Sequence, residues 1–288
     1  MNTFQIMSAL TTPFTKNGRI DYEALGRMID EQMAQGIDGF IVCGTTGETP
    51  TMKTYERFDI LRFVIDRTHH DVELWFGCGT NNTKETLSLV KRAANYDIDG
   101  LLLVTPYYNK PSPNGLYRHF HTIAESTELN IMLYEVASRC GVAFEADTLC
   151  HLFHDCPNIT ALKYAGNDYA LIAKLHERFP QIRLYSGEDA TFYAGMDRGL
   201  SGVISVMSNV YLKEMQEYVK TRSNDLRQYL KQVAALCFLE CSPSAIKYMM
   251  HREGKCENCL RLPLVPLSVK SMQVIDAFMS HDKIHQSL

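Results

Sequence analysis

The sequence lacks the features that mark secreted, membrane-spanning and nucleic-acid-binding proteins. Its longest apolar runs, such as residues 233–239, are far shorter than the roughly 20 residues that a transmembrane helix needs. The amino terminus has neither the basic start nor the long apolar core of a signal peptide, so we expect a cytoplasmic protein. A chain with a net charge of −4 is not expected to attract nucleic acids or acidic membranes.

The cysteines also lack the pattern of a disulfide framework or a metal centre. Nine cysteines, an odd number, are scattered along a chain without an export signal, which indicates reduced thiols. Cys256 and Cys259 form a lone C-x-x-C pair, and no second ligand pair follows it. Cysteines and histidines within residues 150–156 are more typical of a helix with mixed faces. We therefore predict neither a metal nor an organic cofactor.

What the sequence does contain is an alternation of short apolar runs and longer amphipathic stretches. Eight runs are mostly apolar without in–out alternation, which is typical of strands buried on both faces. Each run except the last is followed directly by a stretch with helical spacing. The predicted strands are 6–10, 39–43, 73–78, 100–104, 131–134, 159–162, 182–185 and 202–206.

Alternating strands and helices predict a parallel sheet, and eight such units fit a (β/α)8 TIM barrel. An open doubly wound sheet is the alternative, but residues 77–79 lack the third glycine of its usual nucleotide-binding loop. We predict a barrel over residues 1–210 and a helical region over residues 211–288 that packs on it. Predicted helices near and beyond this boundary are 189–198, 211–222, 224–240 and 268–279.

Active sites of such barrels lie at the carboxyl ends of the strands, where three side chains stand out. Burial of Lys163 would lower its pKa and free an amine for Schiff-base formation, although a lysine that reaches solvent is the commoner case. Tyr134 could relay protons or simply pack. Arg139 could hold a carboxylate or remain solvated at the surface. Taken one at a time, these residues favour the plain structural alternative.

Two loops at the same end of the predicted strands leave similar alternatives open. Residues 44–48 have the sequence Gly-Thr-Thr-Gly-Glu, which suits either an anion cradle or an ordinary glycine-rich turn. Tyr107 and Tyr108 lie between prolines in a stiff loop after the fourth strand. Their rings either pack on the surface or reach a partner subunit.

Together these segments resemble the dihydrodipicolinate synthase / N-acetylneuraminate lyase family of class I aldolases. The resemblance runs almost end to end and extends into residues 242–247 and 261–264 of the helical region. The matching landmarks are residues 44–48, residues 105–109, Tyr134, Ser138, Arg139, Gly141, Lys163, residues 186–187 and residues 202–206.

The resemblance implies a pyruvate-dependent lyase in which Lys163 forms a Schiff base with pyruvate. Tyr134 would pass protons, and Thr45 and Tyr108 would complete its relay. In the family the tyrosine matching Tyr108 comes from a neighbouring subunit, which implies a dimer at least and usually a dimer of dimers.

The resemblance also implies how the substrates bind. Thr46 and the adjoining backbone would bind the pyruvate carboxylate, and Gly187 and Ile204 would also bind substrate. Arg139 and the paired tyrosines resemble the branch that holds the carboxylate of aspartate semialdehyde. The expected reaction condenses pyruvate with this semialdehyde in lysine biosynthesis. A lyase for a sugar acid and a non-catalytic barrel that binds a keto acid are the alternatives.

The chain departs from the family pattern beside the expected catalytic residues. After the tyrosine the family usually has an asparagine, a proline and a threonine where this chain has Glu135, Ala137 and Cys140. The residue after the lysine is usually glutamate, and here it is Tyr164. One hypothesis is that Glu135 replaces the carboxylate lost at Tyr164.

Some family members bind lysine as an inhibitor at a dimer interface. Asn81, Glu85 and Tyr107 match that pocket. Thr54 and Arg57 replace histidines found in strongly inhibited members. Because a cation beside a cationic ligand is unfavourable, we expect weak or absent inhibition by lysine.

Overall fold

The computed structural model describes residues 4–287 and has eight parallel strands in a closed barrel, which confirms the predicted (β/α)8 fold class. The observed strand bounds agree with the predicted ones to within one or two residues. The strands are β1 (Gln5–Ala9), β2 (Gly39–Val42), β3 (Glu73–Gly77), β4 (Gly100–Val104), β5 (Asn130–Glu135), β6 (Ile159–Tyr164), β7 (Arg183–Ser186) and β8 (Gly202–Ser205).

Helices separate most of the strands and make up the regular structure that follows β8. Several begin at a residue whose side chain accepts backbone N–H groups of the first turn; Asn82, for example, accepts from Lys84 and Glu85. The helices are α1 (Tyr22–Ala34), α2 (Thr54–Thr68), α3 (Thr83–Ala93), α4 (Pro113–Ala124), α5 (Ala137–Cys140), α6 (Ala146–Asp155), α7 (Tyr169–Arg178), α8 (Ser208–Thr221), α9 (Asn224–Cys237), α10 (Ser244–Arg252), α11 (Val269–Ser280) and α12 (Lys283–Ser287).

One predicted helix is wrong, and three helices of the structure were not predicted. The segment 189–198 forms two short 3-10 turns, Phe192–Ala194 and Met196–Arg198. Gly195 separates the turns, and a Cβ there would lie 2.4 Å from the Leu200 side chain, so local packing requires a residue that weakens helices. The unpredicted helices are α5, α10 and α12. No helix within residues 4–287 is both long and apolar enough to cross a membrane.

The chain forms two compact units, and the first comprises Glu73–Ile204 with the residues up to Gln5. Strands β3 to β8 pair in order within it. The pairing aligns Val104 with Tyr134 and Tyr134 with Lys163. The register thus places Tyr134 and Lys163 side by side where β5 and β6 end.

A polar cluster in the first unit links the amino ends of β1, β3 and β7, at the other end of the strands from Lys163. The Glu73 carboxylate accepts hydrogen bonds from Gln5 at 3.1 Å and from the Trp75 indole at 3.0 Å. Arg183 donates to both Glu73 oxygens at 2.8 and 2.9 Å. These partners outweigh burial and lower the pKa of Glu73. In barrels of this type such contacts at the amino ends of strands serve stability.

The second compact unit comprises Ile6–Val72 and Ser205–Leu288. Asn209, in the first turn of α8, accepts a hydrogen bond from the Thr11 N–H and donates to the carbonyls of Ala9 and Val206. These bonds fix the chain after β8 to the chain after β1. The division into domains at residue 210 stays a prediction.

The last described helix is fixed within the second unit by one histidine. The Nδ1 atom of His285 contacts a carboxylate oxygen of Glu214, and its Nε2 atom lies 2.7 Å from Glu253. Together these carboxylates raise the pKa of His285 to about 10, against the opposing effect of burial. An imidazolium that bridges two carboxylates therefore fastens α12.

Stability should depend on the protonation of His285. Because folding raises this pKa from 6.5 to about 10, the stabilisation is complete below about pH 6.5 and is lost as the pH rises through 10. We expect His285→Gln to lower the midpoint of thermal unfolding at pH 6–7, and the difference from wild type to disappear near pH 10. The exposed His154, replaced by glutamine, is the matched control. A deficit of the same size at every pH would contradict this.

Candidate active site

Lys163 lies at the end of β6 and is nearly inaccessible, with 6% of its surface exposed. Its Nζ atom lies 4.4 Å from the centre of the Tyr134 ring. Burial lowers the pKa of Lys163 to about 8, while Asp189 and Glu188 oppose the shift and Arg139 adds to it. About a tenth of this amine is therefore neutral, and hence nucleophilic, at pH 7, far more than of a lysine with the ordinary pKa.

Two carboxylates near Lys163 were not among the residues singled out from the sequence. Glu188 and Asp189 directly follow Gly187 at the end of β7. Burial and the charge of Asp189 raise the pKa of Glu188, and Lys163 and Arg139 oppose that rise. An acidic dipeptide at a strand end is a signal that could have found them.

Gly187 leaves room for the stem of the lysine. A Cβ at this position would lie 3.0 Å from Lys163 Cε and 3.1 Å from Ala165 Cβ. The glycine N–H donates a 2.8 Å hydrogen bond to the carbonyl of Tyr164, which fixes the turn after β7. Any larger residue would press on Lys163. The substrate-binding role of Gly187 stays a prediction.

Arg139 projects from the single-turn helix α5 and is exposed. Its guanidinium makes no ion pair with the described residues, and its charge acts on both Lys163 and Glu188. A cation next to another cationic site, without an acidic partner of its own, is available to a ligand carboxylate. The structure thus brings Tyr134 and Gly187 close to Lys163 and places it within reach of the Arg139 charge, while the roles expected of these residues stay predictions.

The tyrosine loop after β4 is fixed at its base and exposed at its tip. Asn81 donates a 3.1 Å hydrogen bond to the carbonyl of Tyr107, and Asn109 donates a 2.9 Å bond to the carbonyl of Asn81. Tyr108 is 90% exposed and has a left-handed backbone with φ of 74°. The proton-relay role of Tyr108 and the lysine pocket of Asn81, Glu85 and Tyr107 stay predictions.

The glycine-rich loop of residues 44–48 belongs to the second unit. Thr45–Gly47 forms a single 3-10 turn, and the Thr49 hydroxyl donates a 2.9 Å hydrogen bond to the carbonyl of Gly44. Thr46 is buried. The roles that the resemblance gives Thr45 and Thr46 stay predictions, as does that of Ile204, which is buried in β8.

A buried ion pair fixes this loop within the second unit, and the sequence offered no local signal for it. Lys247 of α10 lies 2.6 Å from Glu48 Oε1, and neither side chain is exposed. Lys247 Nζ also donates to the carbonyl of Thr12 at 2.9 Å and lies 4.4 Å from the centre of the Phe14 ring. Glu48 Oε2 accepts a 3.0 Å hydrogen bond from the backbone N–H of Arg261. The Glu48 carboxylate and the Lys247 ammonium therefore both have partners beyond each other.

Removing one member of this pair should strongly destabilise the protein. We expect Lys247→Met to lower the free energy of unfolding by about 3–5 kcal/mol, because Glu48 would remain buried without its cation. Adding Glu48→Gln should recover much of the loss. The control is Arg27→Met, which breaks an exposed pair with Glu23 and should cost less than about 1 kcal/mol. Equal effects in denaturant titrations of Lys247→Met and Arg27→Met would refute this account.

A parallel barrel whose sixth strand ends in a buried lysine with a lowered pKa defines a class of protein that can form an imine with a carbonyl compound. The sequence profile of the Dihydrodipicolinate synthetase family matches residues 2–282. This chain belongs to that family.

Individual relatives are similar to this chain over nearly its full length. The 4-hydroxy-tetrahydrodipicolinate synthase of Bacillus subtilis is 35% identical over 276 residues, which cover 93% of this chain and 95% of that protein. The crystal structure of dihydrodipicolinate synthase from Aquifex aeolicus has a TM-score of 0.92 at 33% identity, with 97% and 98% covered. The synthase structure from Methylacidiphilum fumariolicum has a TM-score of 0.93 at 34% identity, with 99% and 97% covered.

Proposed function

We propose that this chain catalyses the condensation of pyruvate with aspartate 4-semialdehyde to 4-hydroxy-tetrahydrodipicolinate, a step of lysine and diaminopimelate biosynthesis. The observation that carries the proposal is the buried Lys163 with a pKa near 8, adjacent to Tyr134. The similarity to 4-hydroxy-tetrahydrodipicolinate synthases over almost the whole chain supports this choice of reaction.

The chemistry starts from the neutral amine of Lys163. Its nitrogen attacks the keto carbon of pyruvate, and loss of water leaves an imine. Removal of a proton from the pyruvate methyl group gives an enamine, whose carbon attacks the aldehyde carbon of the semialdehyde and regenerates the imine. The amino group of the semialdehyde then attacks the imine carbon, which closes the ring and releases the amine of Lys163. Tyr134 would move the protons, as the resemblance implies, and its ring lies 4.4 Å from the lysine nitrogen.

Arg139 supports a second substrate that carries a carboxylate. Its guanidinium has no acidic partner among the described residues, so a bidentate pair with a bound carboxylate would relieve its repulsion with Lys163. Aspartate semialdehyde offers such a carboxylate. If the protein were a sugar-acid lyase, Arg139 would have no such carboxylate of a second substrate to bind.

The assembly, location and regulation of the protein extend the proposal. The exposed tip of the loop that bears Tyr108 suits contact with a second copy of the chain, so we propose a homo-oligomer, with a dimer of dimers as its expected form. The roles of Thr45, Thr46 and Ile204 rest on the resemblance alone. A cytoplasmic location and weak inhibition by lysine remain proposals as well.

Reductive trapping tests the proposal directly. We expect cyanoborohydride with pyruvate to leave a pyruvyl adduct on the peptide that contains Lys163, and added semialdehyde to suppress it. The initial rate of trapping should rise with pH through about 8 and then level off, because the neutral amine is the nucleophile. Lys163→Arg should abolish both the adduct and turnover. The exposed Lys174, replaced by arginine, is the control and should change neither.

Two other outcomes of the trapping experiment would favour the alternative functions. An adduct that persists in the presence of semialdehyde would favour a sugar-acid lyase. If the wild-type protein formed no adduct at all, the non-catalytic keto-acid-binding barrel would replace the proposal.

A further inference from the structure

Glu135 follows Tyr134 directly and is buried at the end of β5, with 6% of its surface exposed. Its Oε2 atom accepts a 2.6 Å hydrogen bond from the backbone N–H of Phe144. The carboxyl group makes no ion pair with the described residues. Burial raises the pKa of Glu135, and the Phe144 N–H opposes that rise. Neither a cation nor bulk solvent explains a carboxyl group at this position.

The strand directs Glu135 away from the lysine. Neighbouring residues of a strand point to opposite faces, so the side chain of Glu135 lies on the other face of β5 from Tyr134. The register pairs Tyr134 with Lys163 and Glu135 with Tyr164. The reacting amine and the Glu135 carboxyl group are thus on opposite faces of the sheet, and Glu135 is not placed to exchange protons with an imine.

The hydrogen bond to Phe144 instead closes the loop of residues 136–143, which carries Arg139. This loop contains only the single turn α5, which ends at Gly141 with a left-handed φ of 70°. Its residues 137–139 are exposed, so few buried contacts hold it. Phe144 is anchored by its ring, whose centre lies 5.3 Å from that of Phe120 in α4. Glu135 connects this anchored residue to the end of β5.

The register partner of Glu135, Tyr164, lies against the next loop, because a Cβ at Gly166 would fall 2.5 Å from the Tyr164 Cζ atom. Glu135 and Tyr164 are thus neighbours at the ends of β5 and β6, and each contacts the loop that follows its own strand. The hypothesis that Glu135 replaces a carboxylate lost at Tyr164 stays a prediction; what the structure shows of Glu135 is a hydrogen-bond acceptor.

We propose that Glu135 is a positioning residue that holds Arg139 in place for the acceptor's carboxylate by fixing the loop of residues 136–143 through the Phe144 N–H. The inference rests on the proposed function, in which Arg139 binds that carboxylate. The required property is an acceptor oxygen at the right distance, which a glutamine also supplies and a leucine does not.

Variants at Glu135 separate this role from others. We expect Glu135→Leu to raise the KM for the semialdehyde by about tenfold, the effect of losing one good hydrogen bond. The KM for pyruvate and the pyruvyl adduct at Lys163 should stay within about twofold of wild type. Glu135→Gln should keep the wild-type KM and pH profile. The exposed neighbour Glu145, replaced by leucine, is the matched control.

A double variant tests whether Glu135 acts through Arg139. If it does, adding Glu135→Leu to Arg139→Ala should raise the KM for the semialdehyde no further. Should Glu135→Leu fail to fold, the shorter Glu135→Asn serves in the same cycle.

Three outcomes would overturn the inference. Additive effects of the two substitutions would show a purely structural residue. A loss in Glu135→Gln as large as in Glu135→Leu, with an altered acid limb of the pH profile, would make the charge the essential property. An unchanged KM in Glu135→Leu would show that the loop of residues 136–143 does not need the hydrogen bond between Phe144 and Glu135. Absence of any Lys163 adduct in the wild-type protein is a different result, because it would overturn the proposed function itself.

Discussion

The charge state of Lys163 is the constraint on which the chemistry at the strand ends depends. An ammonium at this buried position is disfavoured, and the fall in pKa from 10.5 to about 8 corresponds to a free-energy difference on the order of 3 kcal/mol. Asp189 and Glu188 keep the fall from going further, and Arg139 works against them. The amine is thus kept close to the balance between its charged and neutral forms, where a nucleophile is most useful.

A second buried lysine shows how much the partner matters. Lys247 is as deeply buried as Lys163, yet it lies 2.6 Å from the Glu48 carboxylate and also bonds a backbone carbonyl. Burial lowers the pKa of Lys247 too, but the charge and the hydrogen bond of Glu48 oppose that fall and hold the amine in a structural ion pair. At Lys163 burial is opposed by the charges of Asp189 and Glu188, and the pKa is about 8.

Strand register organises the surroundings of Lys163. The same pairing of β5 with β6 that brings Tyr134 beside Lys163 also brings Glu135 beside Tyr164. One face of the strands carries the reactive groups, and the other fastens the loops that follow. Substitutions on the second face can therefore alter substrate recognition without touching the reacting atoms.

The sequence by itself determined the barrel, because buried strands and amphipathic helices leave local periodicities that can be recognised without a structure. Through the resemblance it also predicted Lys163, Tyr134 and Arg139 as neighbours. Only the tertiary structure decided the pKa of Lys163, the Lys247–Glu48 pair and the bond from Phe144 to Glu135. The physical reason is that the pair joins positions 199 residues apart, and burial and charge depend on such distant contacts, which leave no periodic signal in the chain.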